Sequence, residues 1–178
     1  MYWASTNLPQ DYFYSTADDD FMINVGLLKE NIDENIGRMD LEGWKEFPIL
    51  CGFVYGEKEL PVREENRKWY LPVSIYKWKS FPQYCHGGLY TISVKITAQL
   101  YEESRLLQPL SLDDVWITGI LRNRLGMPDD MVIKISPPPG IHFDGYVGKD
   151  TDSKRVFMQK DWNNIFDKFK NTMAICTC

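Results

Sequence analysis

The sequence predicts a single mixed α/β domain. Short runs rich in aromatic and β-favouring residues alternate with segments whose apolar residues recur at helical spacing, and strands separated by helices favour an α/β sheet with ligands beyond the strand ends. A chain of 178 residues with 44% hydrophobic residues is long and apolar enough to bury one ordinary core. Its six Trp, ten Tyr and nine Phe exclude a disordered chain, which is poor in aromatics. They also leave rings to spare for a carbohydrate or nucleotide surface.

The first strand is read at Asp11–Ala17, Asp-Tyr-Phe-Tyr-Ser-Thr-Ala, which runs directly into three acids, Asp18-Asp19-Asp20. From Gly26 to Ile36, Leu27, Leu28, Ile32 and Ile36 repeat at helical spacing and predict a surface helix. The apolar run Phe47–Tyr55, bounded by Gly56, is too short for a buried helix and reads as one buried strand. Residues 57–68 are charged and read as a loop. Residues 69–84, interrupted by Pro72 and Pro82, read as a structured aromatic loop.

Two further helices are predicted, over Ser93–Leu107 and Asp113–Gly126. The second places Val115, Ile120, Leu121 and Leu125 along one side, has Gly126 as its C′ residue and is stopped by Pro128. Pro137-Pro138-Pro139 marks a rigid connector, and Trp162, Ile165, Phe166, Phe169 and Met173 predict a final amphipathic helix. No internal repeat is visible.

The formal net charge of −5 gives no basic field for nucleic acid or anionic lipid. No stretch approaches the roughly 20 apolar residues that cross a bilayer. The four cysteines, Cys51, Cys85, Cys176 and Cys178, lack the paired spacing of a zinc site and leave disulfide pairing open.

The acidic triplet carries the most chemistry. Three adjacent carboxylates repel one another unless a cation or hydrogen bonds compensate, and hard oxygen donors suit Mg²⁺ or Mn²⁺. On an extended chain Asp18 and Asp20 share one side and Asp19 takes the other. A solvated acidic turn is the plain alternative. Against it, the triplet is held between an aromatic strand and the apolar run Phe21-Met22-Ile23. The spacing of an EF-hand is absent, whereas a phosphoryl-transfer acid cluster stays open.

Four segments in order resemble the β-1,3-galactosyltransferase family, which includes β-1,3-N-acetylglucosaminyltransferases and, more distantly, the Fringe proteins. They are Trp3 to Val25 with the Asp triplet and Asn24, then Lys68-Trp69-Tyr70 with the run from Phe81-Pro82-Gln83-Tyr84-Cys85-His86-Gly87-Gly88 to Ser93, then Leu112-Asp113-Asp114-Val115, then Leu125-Gly126-Met127. The sequence departs from the family at His86, where a small residue is usual, and at Asp113, which replaces Glu. The match is best over residues 1–127, and residues 128–178 form a variable C-terminal segment.

The resemblance implies a GT-A type fold, a UDP-sugar donor, Mn²⁺ or Mg²⁺, and an inverting β-1,3 transfer of galactose, or N-acetylglucosamine, to a glycan hydroxyl on glycoprotein or glycolipid. It implies Asp20 and Asp18 as metal ligands, with His142 as a further one, and Asp18 and Asp19 on the donor. It makes Asp114 the general base with Asp113 as the other candidate, and Gly87 and Gly88 the close backbone approach to sugar or diphosphate. Each has a plainer reading: Ser111 and Asp114 fit a helix capping box, the glycines an ordinary turn, and His142 a structural histidine. Trp69 is placed either on a sugar face or in the core.

Family catalytic domains begin well before the aspartate motif. The resemblance therefore implies that this chain is the C-terminal half of the domain, without the N-terminal nucleotide-binding strands. It also implies a type II anchor in the full-length product, on the lumenal side of the Golgi membrane. A truncated, non-catalytic partner of an intact relative is the alternative.

Overall fold

Ile49, Leu50 and Cys51 form a strand with no exposed residue, and this strand organises the domain. The computed structural model describes residues 1–18, 22–23, 25–37, 48–56, 58–134 and 174–175. In chain order the elements are α1 (Tyr2–Asn7), β1 (Phe13–Thr16), β2 (Met22–Ile23), α2 (Val25–Gly37), β3 (Ile49–Cys51), β4 (Val54–Tyr55), β5 (Tyr84–Cys85), β6 (Tyr90–Ser93) and α3 (Val94–Ser104). A π-wound helical segment, Val115–Leu121, then continues into α4 (Arg122–Arg124). A 3₁₀ turn, Asp129–Met131, leads to β7 (Val132–Lys134), and β8 (Ala174–Ile175) comes last.

The main sheet has the order β1-β6-β3-β7. β6 is antiparallel to both β1 and β3, with Thr91 opposite Ser15 on one side and Leu50 on the other, whereas β7 runs parallel to β3. Side chains alternate along a strand. Ile49, Cys51, Tyr90 and Ile92 accordingly enter one apolar cluster with Ile96 and Leu100 of α3 and with Val115, Trp116 and Leu121 of the π segment. Leu50 enters a second cluster with Leu89 and with Leu28 and Ile32 of α2. Helices thus cover both faces of a mixed sheet. β2 pairs with β8, and β4 with β5, in two small antiparallel sheets.

The run Phe47–Tyr55 is not one strand. It breaks at Gly52-Phe53, where the Gly52 N–H bonds to Leu89 C=O at 2.9 Å, so that β3 stays in the main sheet and β4 leaves it to pair with β5. Cys51 and Cys85 then meet in a disulfide across the two sheets, 34 residues apart in sequence with Cα atoms 5.1 Å apart. Cys176 and Cys178 lie outside the described residues.

The helix predicted over Asp113–Gly126 is present, but its middle is wound as a π-helix. Its end behaves as the sequence indicates: Gly126 has φ +70°, its N–H bonds to Asn123 C=O at 3.0 Å, and Met127 N–H reaches Arg122 C=O at 3.2 Å. This pair of bonds is a Schellman closure, which needs the left-handed residue that glycine supplies. The final amphipathic helix, the triple proline and His142 fall outside the described residues. No described helix is long and apolar enough to cross a membrane.

Candidate active site

Three short connections bring the site together. Asp18 stands two residues past β1. His86 and Gly87 follow β5 on the way to β6, and Asp113 and Asp114 open the π segment. Between them lies a cleft of about 330 Å³, lined by Asp18, Asp113, Asp114, Ser111, His86, Gly87, Tyr55, Glu59 and Tyr84, and by Trp69, Leu60 and Val62. That volume is within the range of small-molecule sites.

Asp114 is the most constrained group in it. Its Oδ1 accepts the N–H of Val115 at 2.7 Å and its Oδ2 accepts the N–H of Gly87 at 2.9 Å. Its main-chain carbonyl accepts the hydroxyl of the buried Thr118 at 2.6 Å, and the same hydroxyl oxygen accepts the Cys85 N–H at 2.9 Å. The helix start and β5 are therefore tied together by side chain and backbone. Burial raises the Asp114 pKa above the usual aspartate range, with a further upward push from Asp113, against the opposing pull of the Val115 and Gly87 N–H groups and of His86. A carboxylate has about four lone-pair sites, so two N–H bonds leave it able to accept a proton.

The capping box takes a different form from the one its spacing indicates. Asp114 itself caps the helix through Val115 N–H, the first main-chain bond runs from Trp116 N–H to Leu112 C=O at 2.9 Å, and no capping bond from the Ser111 side chain is formed among the described residues. Ser111 is exposed on the cleft wall.

Gly87 acts through its size. A Cβ there would sit 3.4 Å from Asp114 Oδ2 and 3.4 Å from both oxygens of Asp18. The two carboxylates are thus no further apart than twice that distance, with only a glycine between them. The Gly87 N–H is committed to Asp114, whereas Gly88 is buried, bonds back to His86 Nδ1 at 3.3 Å and does not line the cleft. Asp113 reaches both the cleft and a smaller cavity of about 130 Å³ formed with Tyr14, Thr16, Tyr90 and Ile117. Trp69 is 53% exposed, with Lys68 Nζ 4.3 Å from its ring centre, so it belongs to the cleft rim and not to the core.

Asp19, Asp20 and His142 lie outside the described residues. Among the described residues no group of three or more His, Cys, Asp or Glu is placed to hold a metal. Asp18 supplies one hard oxygen donor in the cleft, which fits Mn²⁺ or Mg²⁺, because such ions are commonly held by one or two carboxylates together with substrate phosphates and water.

Sequence reasoning passed over three residues that shape the site. Gly119 lies where a Cβ would meet Tyr84 Cβ at 3.1 Å and Pro82 Cγ at 3.3 Å, so its absence lets the π segment close on the β5 approach. Arg122 is fully buried, donating to the carbonyls of Thr118, Met127 and Gln83 and to the carboxylate of Asp129. Thr118 is the third. A glycine in mid-helix costs about 1 kcal/mol relative to alanine, which is the signal that a packing reason exists.

A cleft of this size, walled by paired carboxylates and aromatic rings at the ends of sheet strands, defines an enzyme-like substrate site. Residues 1–131 match the family model described as Galactosyltransferase, and the chain belongs to that family. It is 35% identical over 132 residues to a lactosylceramide 1,3-N-acetyl-beta-D-glucosaminyltransferase of Mus musculus, covering 73% of this chain and 33% of that protein. The Homo sapiens protein of the same name is 34% identical over the same length. Beta-1,3-galactosyltransferase 5 of Homo sapiens is 29% identical over 125 residues, 70% of this chain and 37% of that protein. The chain spans about a third of the length of these curated relatives.

Proposed function

We propose that the cleft is the transfer site of a hexosyltransferase of GT-A type, which moves N-acetylglucosamine or galactose from a UDP-sugar onto a glycan hydroxyl in β-1,3 linkage with inversion. The observation that carries the reading is Asp114: a half-buried carboxylate of raised pKa, held by Gly87 and Val115 N–H groups and facing Asp18 across a single glycine. Inverting transfer needs one base. As the acceptor oxygen forms its bond to the anomeric carbon and the bond from that carbon to the diphosphate breaks on the opposite face, Asp114 takes the hydroxyl proton. Its fixed bonds hold the carboxylate in place for this step. Mn²⁺ or Mg²⁺, for which Asp20 and Asp18 are the proposed ligands and His142 a further one, would neutralise charge on the departing diphosphate, with Asp18 and Asp19 assigned to the donor.

The relatives of higher identity carry N-acetylglucosamine and lactosylceramide in their names, so a UDP-N-acetylglucosamine donor and a galactose-terminated acceptor head the assay. The Cys51–Cys85 disulfide belongs to an oxidising compartment and supports a lumenal, Golgi setting.

The test is transfer by the longest product that contains this chain, with Mn²⁺ and a panel of UDP-sugars. Asp114→Asn is expected to keep fold and donor binding yet lose at least ~10²-fold in turnover, the usual contribution of a general base. The acid limb of the wild-type rate is expected above the usual aspartate range. Unchanged turnover in Asp114→Asn overturns the assignment, a loss confined to Asp113→Asn moves it one residue, and failure with every donor leaves the non-catalytic partner.

A further inference from the structure

Among the described residues three tyrosines are buried, Tyr76, Tyr84 and Tyr90. A phenol taken out of water needs a hydrogen-bond partner, because an unpaired polar group in the interior costs free energy. Two of the three have one inside the fold: the Tyr76 hydroxyl donates to Ser80 C=O at 2.8 Å, and Thr16 partners the hydroxyl of Tyr90. The Tyr84 hydroxyl bonds to no described residue, although Tyr84 is only 8% exposed.

The rest of that side chain is pinned. Gly119 brings the π segment against its Cβ, the β4–β5 register sets Tyr84 opposite Tyr55, and the two rings stack with centres 5.6 Å apart. Phe81 meets the Tyr84 ring edge-on at 5.9 Å. The ring is therefore held against the cleft that it lines. Burial first, and then the charges of Asp114, Glu59 and Tyr55, hold the phenol above its ordinary range, so it stays a donor. Glu59 is exposed, lines the same cleft, and is fixed by its main chain: its C=O accepts Phe81 N–H at 2.9 Å and its N–H bonds to Gly56 C=O at 3.2 Å. A sugar hydroxyl both accepts and donates, so one hydroxyl fits between a phenol that donates and a carboxylate that accepts.

We infer that the Tyr84 hydroxyl and Glu59 form an acceptor subsite, which holds the sugar hydroxyl next to the one that attacks. Resting on the transfer reading above, Asp114 takes the proton of the attacking hydroxyl, while its neighbour accepts from Tyr84 and donates to Glu59. The acceptor class is then a pyranose with two adjacent free hydroxyls, the second used for binding and not for chemistry. The acceptor side is favoured over the donor because the charge of Asp114 acts on Tyr84, whereas Asp18 lies across Gly87.

The experiment measures binding of methyl β-D-galactopyranoside and its 2-deoxy and 4-deoxy analogues to the longest product that contains this chain, without donor or metal. Tyr84→Phe keeps the ring contacts and removes only the hydroxyl. It is expected to melt no lower than wild type, since no bond within the fold is lost, and to bind the parent glycoside about 10-fold more weakly. Wild type is expected to show the same loss on one of the two deoxy analogues, and Tyr84→Phe to lose little more on that analogue. Glu59→Ala, at an exposed position, removes the accepting half and is expected to weaken the parent likewise. Unchanged binding of the parent by Tyr84→Phe, equal binding of all three glycosides by wild type, a lower melting temperature in Tyr84→Phe, or no glycoside binding by wild type would each overturn the inference. So would a Tyr84→Phe enzyme whose KM rises for the UDP-sugar and not for the acceptor. Because binding is read without donor, absence of transfer strikes the transfer reading and leaves the binding comparison to decide the subsite.

Discussion

Gly87 is the residue at which geometry and chemistry are most tightly joined. Its φ is not in the left-handed region, and an added Cβ would stand at 3.4 Å from the Asp18 and Asp114 oxygens, ordinary contact and not a clash. Gly87→Ala is therefore expected to melt within a few degrees of wild type while placing a methyl between the two carboxylates, so that substrate binding and turnover fall together. A collapse of the melting temperature would mean that the glycine serves the backbone alone. Asp18 could be picked out from residue type and order, because acids at a strand end are a local pattern, whereas Asp114 and Gly87 stand out only through the family resemblance, their local patterns being those of a helix cap and a turn. Thr118 and Arg122 could not, since their importance comes from partners 33 and 39 residues away, Cys85 N–H and Gln83 C=O.

At the level of elements, the π winding of Val115–Leu121 is what periodicity misreads. A 3.6-residue repeat puts Val115, Ile120, Leu121 and Leu125 on one side, whereas the wider turn also buries Trp116, Thr118, Gly119 and Arg122 and leaves Ile120 and Leu125 only half-buried. The split of 47–55 into two strands was hidden for a related reason: both pieces are apolar, and only the Gly52 bond to Leu89 shows where the chain changes sheet. Thr118 tests the consequence. Thr118→Val keeps the shape but leaves the buried Cys85 N–H without its acceptor, a loss on the order of 1–3 kcal/mol in urea unfolding. Thr118→Ser is expected to restore most of it, and equal stability of the Val and Thr forms would dismiss the bond.

For the whole molecule, two features set stability. The Cys51–Cys85 bridge closes a loop of 34 residues, for which the chain-entropy model gives about 3–4 kcal/mol; the Cys51→Ala, Cys85→Ala double variant is expected to unfold correspondingly earlier in denaturant. Burial holds the hydroxyls of Tyr84 and Tyr90 protonated well above their ordinary value of 10.0. Since the folded pKa is the higher one, that contribution is complete below pH 10.0 and is lost as pH rises above it, when the unfolded chain alone ionises. A fall in melting temperature above that pH, flattened in Tyr84→Phe and Tyr90→Phe, is the expected result. The α/β class was legible because it depends on which segments are apolar, while the order β1-β6-β3-β7 depends on pairings that no single segment encodes. The bridge also ties the cleft to thiol chemistry. It fastens the strand that carries the Cys85 contact and leads into Gly87, so reducing it would free the segment whose N–H groups bond to Thr118 and Asp114.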